Sequence, residues 1–126
     1  MLVLDTSALL YKTLFPQKLT PYAQETIDAA DKLAISSISI WEIGIKAQKG
    51  KLELPLPLAE FVEALKKVDN FEIVPVDTAV WLENLALDWE HRDPADRTIV
   101  ATARLLNCPL VTSDIAIRDF YDASIW

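Results

Sequence analysis

Four carboxylates stand out by where they fall against the apolar pattern of the chain. Asp5 directly follows the run Leu2-Val3-Leu4, and Asp114 follows Leu110-Val111-Thr112-Ser113. Asp96 precedes Ile99 and Val100 by three and four residues, so it shares the inward face of a helix that also carries Ala103 and Leu106. Glu42 lies four residues after Ile38 and three before Ile45. Carboxylate oxygens drawn from separate elements suit Mg2+ or Mn2+, and leave coordination positions for water and phosphate. Without a cation such a cluster repels itself, and at least one pKa should rise.

Each acid also has an ordinary explanation. Asp5 and Asp114 can be helix caps that accept from free backbone amides. Asp93 with Asp96 resembles a capping box. Glu42 has Lys46 four residues on, the favoured order for an exposed helical ion pair. The case for chemistry therefore rests on the four meeting at one place, which depends on the elements that carry them.

Those elements alternate. Leu2-Val3-Leu4 reads as a parallel strand buried on both faces. Asp5-Thr6-Ser7 caps a helix that ends at Phe15-Pro16, and Thr20-Pro21 opens a second helix through Ala30. Leu33 to Ser36 is a strand, and Ser37 or Ser39 caps a helix that stops at Lys49-Gly50-Lys51. After the extended Leu54-Pro55-Leu56-Pro57, Leu58 to Lys67 reads as an amphipathic helix. Phe71 to Val76 is a strand whose proline suggests a sheet edge. Asp77 caps a helix to about Leu87, Asp93-Pro94 opens one to Leu106, and Leu110-Val111-Thr112 is a fourth strand. A short helix and a possible fifth strand at Ser124-Ile125-Trp126 follow. Strands alternating with helices imply an α/β fold with a mainly parallel sheet. In such sheets ligands bind beyond the carboxyl ends of the strands, where Asp5 and Asp114 stand.

Bulk properties narrow the choice. A chain of 126 residues, 52% hydrophobic, fits one domain spanning 1–126. Two glycines cannot build a P-loop or a dinucleotide fingerprint. The single cysteine, Cys108, sits among apolar neighbours and is expected to be a buried, reduced thiol. With no leader segment and no long apolar run, the expected location is the cytoplasm. A net charge of −7 argues against nucleic-acid binding unless metal ions supply positive charge at the acids. Lys46, Lys49 and Lys51 form the one local basic patch, open to phosphate contact or to simple solvation. Trp41, Trp81, Trp89 and Trp126 are expected in the core or in subunit contacts rather than in base stacking. His91, the lone histidine, excludes a two-histidine acid–base pair and reads as a loop residue before the Asp93 cap.

At the same residues the sequence resembles a known family. Leu2-Val3-Leu4-Asp5-Thr6-Ser7-Ala8-Leu9-Leu10 resembles the opening motif of PIN-domain nucleases, and Ser36 to Ile43 resembles their second. His91-Arg92-Asp93-Pro94-Ala95-Asp96-Arg97 and Leu110-Val111-Thr112-Ser113-Asp114 resemble the third and fourth. With Lys49 to Pro55, the whole chain is similar to the VapC-type toxins of bacterial toxin–antitoxin pairs. The resemblance implies a three-layer α/β/α fold around a central, mainly parallel sheet of four to five strands. It also implies Mg2+- or Mn2+-dependent cleavage of RNA, inhibition by a cognate antitoxin, and a homodimer. It places the metal site at Asp5, Glu42, Asp96 and Asp114, with supporting hydroxyls at Thr6, Ser7, Thr112 and Ser113. Ser7 departs from the pattern, since relatives often carry histidine there. Asp93 and Asp119 are candidate outer acids. The expected reaction is metal-assisted phosphodiester hydrolysis, with Asp5, Asp96 and Asp114 as direct ligands and Glu42 placing water.

Two other classes share some of these features. A receiver-type phospho-acceptor domain needs an acid pair after the first strand and a lysine after the last, and neither is present. A phosphatase of the haloacid dehalogenase type needs a second acid where Ser7 stands. A catalytically silent PIN-like binding module differs from the nuclease only in whether the acids hold a cation.

Overall fold

The computed structural model describes residues 1–126. Its elements run β1 (Leu2–Leu4), α1 (Thr6–Leu14), a 3-10 turn (Pro16–Lys18), α2 (Pro21–Ala29), β2 (Leu33–Ser36), α3 (Ile38–Gln48) and α4 (Leu58–Lys66). They continue through β3 (Phe71–Val74), α5 (Thr78–Ala86), α6 (Pro94–Leu106), β4 (Leu110–Val111), α7 (Ile115–Phe120) and β5 (Ser124–Ile125). The five strands form one parallel sheet in the order β3-β2-β1-β4-β5. β3 is an edge strand, as its proline suggests, but it ends at Val74, because Pro75 has no amide to continue the ladder.

Side chains of each strand alternate between two apolar layers. Leu2 and Leu4, Leu33 and Ile35, and Val111 face a core shared with Leu9 of α1, Ile27 of α2, Ile43 of α3 and Phe61 and Leu65 of α4. Val3, Ala34 and Leu110 face the other way, onto Ile99, Val100 and Ala103 of α6 and Ile117 of α7. A sheet covered on both faces explains why β1 is continuously apolar and fully buried. The result is the three-layer α/β/α arrangement.

Local capping agrees with the sequence in most places. Thr20, Asp77 and Asp93 accept amides of their first helical turns. Gly50, at φ 70°, closes α3 in a backbone region that a β-carbon would strain. The start of α3 differs from the expectation. Neither Ser37 nor Ser39 caps it; the Ser36 hydroxyl accepts the Ile38 amide, and Ser37 Oγ accepts from Val76 after β3. Ser39 is buried instead beside Thr6.

The cysteine is buried, with its thiol 3.2 Å from the Leu106 carbonyl. Trp89 and Trp126 pack against the two cores, whereas Trp41 is 60% and Trp81 45% exposed. No helix is long and apolar enough to cross a membrane.

Candidate active site

Because β1 and β4 pair directly, with Leu4 opposite Val111, the residues that leave them emerge side by side. The Asp5 amide donates to the Val111 carbonyl at 3.1 Å. Asp5 Oδ1 then accepts the Ala8 amide at 2.7 Å, and Asp114 Oδ1 accepts the Ile117 amide at 3.0 Å. Both acids are helix caps, as their ordinary explanation requires, and that role occupies only one oxygen of each.

Burial separates the two. Asp114 is exposed, while Asp5 is 6% exposed. Desolvation is the main reason the Asp5 carboxyl is pushed up to about 6. The nearby charges of Asp96 and Asp114 push the same way, against stabilisation by the Thr112 hydroxyl and the Ala8 amide.

Glu42 and Asp96 are half-buried, and both lie above the usual carboxylate range, chiefly through burial. Thr6 Oγ1 lies 2.5 Å from Glu42 Oε1 and 2.9 Å from Ser39 Oγ. With one proton to give, the Thr6 hydroxyl donates to the carboxylate and accepts from Ser39. Lys46 forms no ion pair with Glu42, although its charge holds that carboxyl down somewhat; Asp96 and Asp93 act against it. Asp96 feels both Asp93 and Asp114. Asp5, Glu42 and Asp96 therefore each carry the field of another member of the set, and Asp96 is the common neighbour.

The expected capping box does not form at Asp96. Its Oδ2 lies 2.8 Å from His91 Nε2 instead. The histidine does occupy a loop, but the loop returns it to the acids. Trp89 stacks on the His91 ring at 4.6 Å, and Phe120 stacks on the far side of Trp89 at 4.7 Å. Arg97, adjacent to Asp96, ties this loop down. Its guanidinium donates to the carbonyls of Asn84, Leu87, Trp89 and His91, and to Asn84 Oδ1. Two of those carbonyls close α5, where a positive charge is favourable. Sequence inspection missed both interactions. The trace of His91 was the aromatic Trp89 two residues before it; Arg97 left none.

Of the supporting hydroxyls, Thr6 holds Glu42, and Thr112 acts on Asp5 while accepting the Asp114 amide at 3.0 Å. Ser7 and Ser113 bond to none of the four acids. Asp93 contributes field and a cap, whereas Asp119 lies in a separate hollow with Arg118, Asp122 and Ser124.

No lysine or arginine pairs with any of the four acids. Their donor chemistry, oxygen only and without a cationic partner, fits a hard divalent ion. The spacing is open: no three of the chain's His, Cys, Asp and Glu side chains lie close enough to close on one ion.

The model of the PIN domain family matches residues 2–123. The chain belongs to the PIN domain family. It is 31% identical over 117 residues to ribonuclease VapC22 of Mycobacterium tuberculosis, across 92% of this chain and 88% of that one. This PIN domain also shares its fold with a toxin–antitoxin complex from Klebsiella pneumoniae, at a TM-score of 0.71 and 20% identity over 100% of this chain and 97% of the other. FitAcB from Neisseria gonorrhoeae gives 0.66 at 19% identity over 100% and 96%. VapBC2 from Rickettsia felis, bound to a DNA fragment from its promoter, gives 0.64 at 18% over 96% and 93%.

Proposed function

We propose that this PIN domain is a divalent-metal-dependent endoribonuclease that acts in the cytoplasm as a toxin held in check by a cognate antitoxin. The observation that carries the reading is Asp5: a buried carboxylate, with no basic partner, kept in the field of Asp96 and Asp114. A protein tolerates that cost where a cation relieves it. The likeness to a protein named as a ribonuclease, and to folds solved within toxin–antitoxin complexes, supports the substrate and the partner.

Asp5, Asp96 and Asp114 would hold Mg2+ or Mn2+, which supplies Lewis acidity for phosphodiester hydrolysis. The residues of the chain do the rest. Glu42, steadied by Thr6, orients the attacking water and accepts its proton. His91, clamped between Trp89 and Asp96, fixes the rotamer of that acid. The buried hydroxyl of Thr112 does the same for Asp5. Asp114, exposed at the rim, is the member of the acid set open to solvent. The exposed apolar residues Trp81, Leu82 and Leu85 of α5 fit burial against a second copy in a homodimer.

The decisive experiment maps cleavage ends across total cellular RNA after expression of the chain and of Asp5→Asn. Cuts that appear only with the parent chain support the reading; identical RNA profiles end it. Hydrolysis by water also predicts that a 2′-deoxy substitution beside the scissile bond leaves cleavage intact. The open spacing of the acids favours one alternative, a silent binding module. Calorimetric titration with Mn2+ separates the two, since a silent module takes up no ion through these acids.

A further inference from the structure

A groove of about 420 Å³ lies between α1 with its 3-10 extension and the end of α3, starting at Ser7, two residues after Asp5. Lys18, Lys46 and Lys51 line it together with Ser7, Tyr11 and Phe15. None of these lysines forms an ion pair, whereas Lys32 and Lys66 elsewhere do. One acid, Glu53, shares the wall. In a chain of net charge −7 this is a local reversal of sign. The Lys18 ammonium is held over two rings, 5.5 Å from the Tyr11 centroid and 5.1 Å from that of Phe15. Tyr11 is backed in turn by Trp126 at 6.2 Å.

We propose that this groove is the track for single-stranded RNA: Lys46, Lys51 and a Lys18 drawn off the two rings take its phosphates, and the Tyr11 and Phe15 faces that Lys18 covers in the free protein are thereby opened to bases. The proposal rests on the nuclease reading and assigns where its substrate lies. Aromatic faces beside unpaired cations are the combination that binds single strands without reading their sequence. The groove also leads to the acids. Ser7, on its wall, follows Asp5 and Thr6 in α1, and Lys46 lies one helical turn beyond Glu42, close enough to act on that carboxylate. A strand seated on the lysines thus reaches the rim at Asp5 and Glu42. A protein segment would need to be acidic to fit as well, and that is one outcome of the test.

The test measures anisotropy of a 5′-labelled 12-nucleotide single-stranded RNA on the Asp96→Asn protein, which binds without cutting, across a series of KCl concentrations. Adding Lys18→Gln, Lys46→Gln and Lys51→Gln together should weaken binding at least tenfold and flatten the salt slope by about 2, at roughly 0.7 for each phosphate no longer neutralised. Phe15→Leu should weaken binding roughly fivefold and leave the slope unchanged. Lys66→Gln with Lys67→Gln, at the end of α4, should change neither. Lys18 and Lys51 are exposed and Lys46 and Phe15 half-buried, so equal thermal melting of all variants is the check that excludes a folding defect. Unchanged affinity and slope in the triple variant overturn the proposal, as does failure of the parent protein to retain the RNA. So does a triple variant that still binds RNA but loses a glutamate-rich peptide, which would assign the groove to a protein partner. Cleavage by the unsubstituted chain with Mn2+, measured separately, reports on the nuclease reading: activity with an unaffected triple variant leaves that reading standing while the groove falls.

Discussion

The two ends of the sheet treat the same kind of side chain in opposite ways. At the amino end Asp31 is 89% exposed and lies 3.1 Å from the Met1 ammonium, which holds its carboxyl below the usual range; nearby, Lys32 pairs with Glu72 at 3.0 Å. At the carboxyl end Asp5 is buried, has no basic partner and is pushed up to about 6. Each acid sits next to a short parallel strand, so strand geometry does not account for the difference. At one end charge is neutralised by the chain itself. At the other it is left for something else to neutralise, which is how a site differs from a scaffold.

The contrast can be broken most forcefully at Asp96. If the rim depends on an external cation, Asp96→Asn should lower RNA cleavage about a thousandfold, the equivalent of several kcal/mol of transition-state stabilisation. A gel assay with purified protein reads this directly, and full activity in the variant would remove the distinction between the two ends.

The next effect is on stability, measured in EDTA. The unfolded Asp5 titrates near 3.8 and the folded one near 6. Folding thus binds a proton more tightly, and this contribution is fully present below about pH 4. It declines as the unfolded chain ionises first, and is gone above about pH 6, a change of roughly 2–3 kcal/mol. Glu42 and Asp96, also raised, add in the same sense. Asp5→Asn, which keeps the cap, should therefore be more stable than the parent at pH 7.5 and nearly equal to it at pH 4. Mn2+ should restore the parent and leave the variant unmoved. A parent chain that gains stability between pH 4 and 6 would contradict the sign.

Smaller effects sharpen the picture. Arg97→Lys surrenders several carbonyl hydrogen bonds and should cost about 2–3 kcal/mol in urea unfolding, because hydrogen bonds to a charged donor are the stronger kind. His91→Asn should leave stability nearly unchanged yet reduce activity about tenfold, the usual scale for a residue that orients a metal ligand. The smallest change is expected for Thr6→Val: about 1 kcal/mol of stability and a few-fold loss of activity, with Thr6→Ser restoring both.

Much of the fold was legible because the alternation of apolar runs with capped amphipathic segments is a local property. The boundaries of β1, β2 and α6, and the placement of β3 at an edge, follow from residues within one element of each other. The direct pairing of β1 with β4 was only partly legible. It follows from packing on both faces, and nothing in Leu110-Val111 names its neighbour. Asp5 and Asp114 were visible because strand ends are fixed by the apolar pattern, and Asp96 because it shares the inward face of α6. What escaped depends on loop paths. His91 reaches Asp96 because Arg97 gathers four carbonyls, and a five-residue separation in a coil says nothing about that. Glu42 bonds to Thr6 rather than Lys46, and no local pattern could show it, since Thr6 lies 36 positions away on an adjoining helix. Lys18 joins Lys46 and Lys51 only through the packing of α1 near α3, whereas Lys49, counted in the basic patch read from the sequence, does not line the groove.

β1 lies at the centre of the sheet although it precedes the other four strands in sequence, and it finds its β4 neighbour more than a hundred residues later, at Leu110 and Val111. Asp5 and Asp114 can face each other only after that long loop has closed, a slow and non-local event. Nascent or truncated polypeptides ending before Leu110 therefore lack an assembled rim. The order of synthesis itself postpones any activity of that rim until Asp114 has been translated and β4 has docked.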